Sequence, residues 1–372
     1  MKILYANDIV YGYATGDSLV RGGAERYGWY LMRALASAGW SVTVGVRSAL
    51  AAGDERAVDG VRFLGIGNRS FLSDWYRFLH SEKPDWCFWQ CADHLWGPAA
   101  EIARRLGVRT AFSTMHDLDV QVRNALRTRK NLWPLYMWGL RRSNLIFIQH
   151  YGQRHDLPSH LQQRTYLLPG IVPLPDKVVP HAKRTETVAW AAVIRPPKRP
   201  DLLVELARSL PTVHFTVCGA PQLNQWHPET IERIMTELRS LPNVDYRGHV
   251  PPEQTIKVIG EAGLLLSTSD GEGFPSVFLE AWAAGTPVVS MQIDPDHKIR
   301  DFQLGTVADT IERASEAVRY LMTSASSREE MGIKSRRHVE EIHSANSAIR
   351  AFETAVAQAG RCDASSEINE RR

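Results

Sequence analysis

Short apolar runs alternate along most of the chain with longer stretches in which apolar residues return every three or four positions. The runs at Ile3–Ala6, Ser41–Val46, Trp86–Trp89, Arg109–Ser113 and Leu145–Gln149 read as strands. Between them, the segments near Ala24–Ala38, Asp93–Leu106 and Val120–Arg142 read as helices. Near-continuously apolar strands separated by amphipathic helices predict a parallel sheet covered on both faces. Tyr11–Val20, with Gly12 and Gly16, reads as a long loop after the first strand.

The alternation breaks at Leu168-Pro169-Gly170-Ile171-Val172-Pro173-Leu174-Pro175, with Pro180 just beyond. Neither helix nor strand propagates through so many prolines. It then restarts, with strands expected at Thr187–Val193, His214–Cys218, Val244–Arg247, Leu264–Ser267 and Val288–Ser290. Helices are expected at Pro200–Ser209, Pro228–Ser240, Pro252–Ala262 and Pro275–Ala284, and Asp309–Gln358 reads as helical. The division expected is residues 1–172, a linker at 173–184, and a second domain at 185–345. A helix at 346–360 would return to the first domain, and 361–372 reads as a flexible tail. The fold class is therefore α/β, two doubly wound Rossmann-like domains facing a cleft, where open parallel sheets take their ligands.

A chain of 372 residues suits two such domains, and its 44% hydrophobic and 23% charged content is ordinary for a globular protein. A formal charge of +3 gives no general affinity for nucleic acid, so any basic function must be local. Cys87 and Cys91 lack a second pair at zinc spacing, and reduced thiols are the simplest account of all four cysteines. Met1 leads directly into the first strand, so no signal peptide is expected, and no apolar run reaches about 18 residues. These features suggest a cytoplasmic location.

Candidate chemistry gathers at strand ends. Ser269-Asp270-Gly271-Glu272-Gly273-Phe274-Pro275-Ser276-Val277 opens a helix that carries Glu280 and stops at Gly285. Amides at a helix N-terminus favour a phosphate, Pro275 suits the first turn, and a carboxylate on each side suits sugar hydroxyls. The alternative is an ordinary loop, helix and strand. Ile194-Arg195-Pro196-Pro197-Lys198-Arg199 sets three cations around rigid prolines, fitting a pyrophosphate clamp or a solvated charge cluster. Cys218-Gly219-Ala220-Pro221 and Arg247-Gly248-His249-Val250 close strands where a base could lie. In the first half, Arg21-Gly22-Gly23-Ala24-Glu25-Arg26 places a glycine pair before a helix, open to close phosphate approach. His116 follows the Arg109–Ser113 strand and would either contact a sugar and its leaving phosphate or cap the next turn. Asp117-Leu118-Asp119 and Asp294-Pro295-Asp296 resemble metal carboxylates but read better as turns, so no metal is expected.

Together these residues resemble glycosyltransferase family 4, retaining enzymes of the GT-B fold, over nearly the whole chain. The double-glutamate segment running into Ala284-Gly285-Thr286-Pro287-Val288-Val289 is the specific part. The resemblance implies that Glu272 contacts donor-sugar hydroxyls, with amides from Gly273, Phe274, Pro275, Ser276 and Val277 around sugar and phosphate. It implies that Glu280 takes the ribose hydroxyls, Lys198 neutralises the diphosphate, Gly22 and Gly23 close over it, and His116 lies near the reacting bond. The donor implied is a UDP- or GDP-sugar, with no cofactor, and the acceptor a glycan or lipid-linked saccharide of cell-surface synthesis. The family pattern has an arginine where this chain has Val193. Arg195, two residues on, is the expected substitute, on the premise that both lie in one extended strand.

Between Arg123 and Arg142, Arg123, Arg127, Arg129, Lys130, Arg141 and Arg142 accompany Trp133, Tyr136, Met137 and Trp138 without an acidic residue. That mixture suits an anionic membrane surface at the inner leaflet. It equally suits a helix packing its aromatics on the sheet, kinked at Pro134. Two other functions compete: a donor-binding module with weak or no transfer, suggested by Val193, and a sugar-nucleotide epimerase, which the paired glutamates disfavour.

Overall fold

The computed structural model describes residues 1–16, 22–126 and 128–370, with side chains through residue 360. Unit 1 comprises Met1–Ile171 and Ala345–Arg372, and unit 2 comprises Val172–Ser344. Strands β1 (Lys2–Ala6), β2 (Ser41–Val46), β3 (Glu55–Val58), β4 (Val61–Gly65), β5 (Trp86–Gln90), β6 (Arg109–Ser113), β7 (Leu145–Ile148) and β8 (Thr165–Leu167) form the sheet of unit 1. Their order is β3-β4-β2-β1-β5-β6-β7-β8, parallel except for the β3–β4 hairpin. Helices α1 (Asp8–Ala14), α2 (Gly23–Ser37), α3 (Phe71–Glu82), α4 (Trp96–Arg105), α5 (Trp133–Arg142), α6 (Tyr151–Asp156) and α7 (Ser159–Gln162) complete the crossovers.

Successive strand residues point to opposite faces, and the core divides accordingly. Ile3 and Tyr5 pack with Leu31, Met32 and Leu35 of α2, whereas Leu4 between them packs with Ala99, Ala100 and Ala103 of α4. Burying both faces is what requires the near-continuous apolar runs of the sequence.

Three features of unit 1 differ from the sequence reading. The loop expected at Tyr11–Val20 is helical through Ala14; Asn7 caps α1 by accepting the Ile9 and Val10 amides at 2.9 and 3.1 Å. Residues 17–20 of that stretch lie outside the described residues. The long helix expected over Val120–Arg142 is α-helical only from Trp133, and Pro134 sits in its first turn, where no N–H is needed, rather than at a kink. The β3–β4 hairpin is additional to the strands expected, and β3, on the sheet's edge and largely exposed, has no apolar run to mark it. Its turn is Asp59-Gly60, both with positive φ (47° and 80°), the Asp-Gly signal of a tight hairpin.

Unit 2 carries β9 (Thr185–Ala191), β10 (His214–Cys218), β11 (Val244–Gly248), β12 (Ala262–Ser267), β13 (Val288–Ser290) and β14 (Gly305–Val307), all parallel in the order β11-β10-β9-β12-β13-β14. Its helices are α8 (Pro200–Ser209), α9 (Pro228–Ser240), α10 (Pro252–Glu261), α11 (Ser276–Ala283), α12 (Lys298–Phe302), α13 (Ile311–Thr323) and α14 (Ala325–Ile342). β9 ends two residues before the expected Val193, and α11 begins at Ser276, with Pro275 extended ahead of it (φ −64°, ψ 117°).

Helix α11 is fixed firmly at its C-terminal end. Gly285 takes a φ of +67°, and Arg184 donates to the Ala284 carbonyl at 2.6 Å and to Thr286 Oγ1 at 2.8 Å. Arg336 of α14 donates to the Ala283 carbonyl at 2.6 Å. Both guanidiniums face the negative end of the helix dipole. Burial and the nearby Arg328 pull the Arg184 pKa down to about 10, so it remains protonated at neutral pH.

The last helix, α15 (Ala345–Glu370), belongs to unit 1. Its Phe352 packs between Trp40 and Phe147, with ring centroids 5.4 and 5.1 Å away, and the Trp40 indole donates to Glu353 at 3.0 Å. The helix runs on to Glu370, through most of the stretch expected to be a flexible tail.

His338 of α14 is buried against Trp282 and Phe302, and burial lowers its pKa to about 4. A histidine of depressed folded pKa takes up its proton first in the unfolded chain, near pH 6.5. Its neutral packing therefore stabilises fully above that pH, and the contribution falls away as pH drops toward 4. Urea unfolding at pH 7.5 and 5.0 should show a smaller loss of stability for His338→Gln than for wild type.

Candidate functional site

In open parallel sheets, ligands lie beyond the C-terminal strand ends where the strand order reverses. In unit 2 that reversal falls between β9 and β12, and the segments leaving those two strands carry the sequence-predicted residues. After β9 the chain passes Val193 and pairs Ile194 with Pro221 in a single bridge. It then makes a tight 3-10 turn at Pro196–Lys198, and Arg199 is left-handed (φ 46°) ahead of α8. After β12 comes Thr268, then the glycine-bracketed loop into α11.

The two segments are tied together. Thr268 Oγ1 donates to the Lys198 carbonyl at 2.7 Å and accepts the Trp190 indole N–H at 3.0 Å. The Asp270 amide donates to the Pro197 carbonyl at 3.0 Å. Above these bonds the Lys198 ammonium is ion-paired with Glu272, the two side chains only 14% and 11% exposed. Gly273 and Pro275 are buried, while Ser276 and Val277 are half-buried at the mouth of α11. Phe274 packs on Trp282 and His343, and Glu280 lies one turn into the helix, 4% exposed.

The three cations of the Arg195–Arg199 segment have different environments. Arg199 is held bidentately by Asp201, with Nε and Nη2 at 3.0 and 2.7 Å from its oxygens, and that pairing raises its pKa. Lys198 faces Glu272. Arg195 is half-buried, and among the described residues its Nε has no hydrogen-bond partner. Val193 lies beyond the end of β9, so the premise that Val193 and Arg195 share one strand face does not hold. Gly219, at the end of β10, has a φ of +156°, and a Cβ there would stand 1.8 Å from the Ala192 carbonyl oxygen. Only glycine lets the two chain segments approach so closely. Asp294, of the suspected metal pair, accepts the Ile299 amide at 2.7 Å and pairs with Arg300.

In unit 1 the order reverses between β1 and β5. Tyr5 donates to Gln90 Oε1 at 2.5 Å, and Gln90 Nε2 donates to the Ala24 carbonyl at 2.7 Å, fixing the start of α2 over the sheet. Gln90 was not anticipated, although its place at a strand's C-terminal end was the available signal. Gly22 caps α2 with a φ of +133°, and the Glu25 carboxylate folds back over it. Arg21 of the same motif lies outside the described residues.

His116 takes the capping role. Its Nδ1 accepts the Leu118 amide at 3.0 Å, which puts the proton of the neutral ring on Nε2. Asp119 reciprocates by accepting the Met115 and His116 amides at 2.7 and 3.0 Å. Among the described residues, no group of three or more His, Cys, Asp or Glu side chains is placed to hold a metal ion.

Residues 22–161 match the family described as glycosyl transferase 4-like domain, and residues 176–338 match glycosyl transferases group 1. The D-inositol 3-phosphate glycosyltransferase of Mycolicibacterium smegmatis is 35% identical over 107 residues, covering 28% of this chain and 25% of that protein. The match thus spans about a quarter of such curated relatives. Among solved structures, sucrose-phosphate synthase of Thermosynechococcus elongatus superposes with a TM-score of 0.72 at 14% identity, over 99% of this chain and 100% of that one. Anabaena HepE, solved with UDP and glucose, gives 0.72 at 13% identity, over 96% and 100%. At such identities these two likenesses concern the fold.

Gly22 provides a direct test of the α2 turn. In Gly22→Ala the Glu25 carboxylate can swing away, but the backbone strain of a positive φ remains, on the order of 1–3 kcal/mol. Urea unfolding should show a loss of that size.

Proposed function

We propose that this chain, which belongs to the group 1 glycosyltransferases and has the GT-B fold, moves a sugar from a nucleoside diphosphate to a hydroxyl acceptor with retention of configuration. The observation that carries this reading is the contact of Lys198 with Glu272 beside the mouth of α11, at the strand-order reversal of unit 2. An ammonium and helix-terminal amides suit a diphosphate, and a carboxylate beside them suits sugar hydroxyls. Lys198 neutralises the diphosphate as charge develops on it, and the amides from Gly273 to Val277 share that work. Glu272 orients the sugar, and Glu280 receives the ribose hydroxyls. No protein nucleophile is needed: the leaving phosphate oxygen takes the acceptor proton on the same face of the sugar. In unit 1, His116 contributes its Nε2 proton as a hydrogen-bond donor, and the Gly22-Gly23 turn offers amides at the start of α2. The donor classes to test first are UDP- and GDP-sugars, with glycans and lipid-linked saccharides as acceptors.

A donor-binding module with little transfer is the second reading. It is favoured by the engagement of Arg199 with Asp201, which leaves Lys198 and Arg195 as the cations for a diphosphate.

We also propose a peripheral contact with an anionic membrane, which rests on the surface before and within α5. Arg123 lies over the Trp133 ring at 5.4 Å, and Arg129, Lys130 and Leu135 are exposed. Tyr136, in contrast, is fully buried, and Arg142 pairs with Glu101. Arg127 lies outside the described residues. No helix among the described residues is long and apolar enough to cross a membrane.

Four measurements test these assignments. In a thermal-shift panel of nucleoside diphosphates and their sugars, a ligand at about 100 times its Kd adds about 2.7 kcal/mol of stability; a flat response to all of them removes the donor reading. Lys198→Ala should weaken nucleoside diphosphate binding, while Glu272→Gln, which frees the ammonium, should hold UDP or GDP at least as well as wild type but lose the extra affinity given by the sugar. Normal turnover in Arg195→Ala would show that Arg195 does not stand in for the cation absent at position 193. Co-sedimentation with phosphatidylglycerol vesicles should fall as salt rises and weaken in Arg123→Glu/Lys130→Glu; salt-independent or absent binding removes the membrane part.

A further inference from the structure

Asp117 opens the short turn that follows β6, at the C-terminal edge of the unit 1 sheet. It differs from its neighbour Asp119, whose carboxylate is engaged by backbone amides of the same turn. Asp117 Oδ1 accepts from His150 Nε2 at 2.7 Å and from Gln153 Nε2 at 3.0 Å. Both donors come from the start of α6, beyond the C-terminal end of β7. Gln153 is itself locked: it is 1% exposed, and its Oε1 accepts the Thr114 hydroxyl at 2.7 Å and the Gln149 amide at 2.9 Å. Among the described residues, none donates to Asp117 Oδ2, and the side chain is 40% exposed. A buried network spanning two strand ends therefore holds one carboxylate by one oxygen and leaves the other turned to solvent.

A solvent-facing carboxylate used only for charge does not require such support. A carboxylate oxygen accepts hydrogen bonds and donates none when ionised, so the group it holds must be a donor. An anionic group would be repelled, and a neutral hydroxyl fits. We propose that Asp117 is a hydroxyl-binding residue for a polyol or sugar acceptor, oriented by His150 and Gln153, and that its fixed carboxylate selects which acceptor hydroxyl is presented. This inference rests on the glycosyl-transfer reading for the name acceptor, though not for the binding chemistry.

The test separates the two. Binding of UDP and GDP, and separately of myo-inositol, methyl α-mannoside and glycerol, is measured by calorimetry and saturation-transfer NMR on the full chain. Wild type should bind at least one polyol, and Asp117→Asn should weaken it about 10- to 100-fold, as for loss of a charge-assisted hydrogen bond. Nucleotide affinity and the thermal midpoint should not change. Gln153→Leu, which removes one support of the carboxylate, should weaken the same polyol by a smaller factor. Unchanged polyol affinity in Asp117→Asn overturns the proposal, as does the absence of polyol binding by wild type or a parallel loss of nucleotide affinity. Failure of UDP and GDP to bind wild type would instead remove the glycosyl-transfer reading while the polyol measurements still decide the role of Asp117.

Discussion

Thr268 is 1% exposed at the end of β12, and its hydroxyl works in both directions, accepting from the Trp190 indole and donating to the Lys198 carbonyl. Without it a buried indole N–H would stand unpaired, a loss of about 1–3 kcal/mol. More consequentially, the turn bearing Lys198 would keep, apart from the ion pair itself, only the Asp270–Pro197 backbone bond as a hydrogen-bonded tie to the loop bearing Glu272. The ion pair of these two side chains depends on the positions of their backbones, which this hydroxyl and the Asp270 amide fix together. The rigid prolines at 196, 197 and 200 confine the turn from within, and Thr268 confines it from outside.

Helix α11 is held by a complementary arrangement. Arg184 and Arg336 bind carbonyls at its C-terminal end, and Trp282 and Phe278 bury its apolar side. The helix is therefore restrained at both ends, by these arginines at its C-terminus and by the ties between the Glu272 loop and the Lys198 turn at its mouth. The helix can present its first amides at a set height and angle, which is what the proposed diphosphate contact requires.

Much of this was legible in the sequence, and the reasons differ from element to element. Strands buried on both faces announce themselves by continuous apolar runs, so β1, β2, β5, β6 and β7 could be placed within a residue or so. The edge strand β3 has no such run, and only Asp59-Gly60 signalled it. Proline was read correctly as punctuation but not always in the right sense: Pro134 starts a helix that the spacing of apolar residues had extended back to Val120. At the site, Glu272 and Lys198 were legible as residue types beside helix starts, and their pairing across 74 positions follows from strand order. The engagement of Arg199 with Asp201 and the support of Asp117 by His150 and Gln153 could not be read. Each depends on side-chain directions set by a left-handed residue or by two neighbouring strand ends, which no periodicity records.

The position of α15 reaches back into how the protein is made. Phe352 fills the space between Trp40 and Phe147, and Ala348, Ala355 and Val356 join the same apolar cluster. The core of unit 1 is therefore completed by a segment that is synthesised only after the whole of unit 2. At roughly 5–20 residues per second, that interval lasts on the order of 10–30 s. Throughout it the nascent first sheet exposes an unfilled apolar seam along Trp40 and Phe147, while unit 2 emerges with all its strands contiguous. Unit 2 thus emerges with every segment of its own core in hand, whereas unit 1 lacks one until α15 follows.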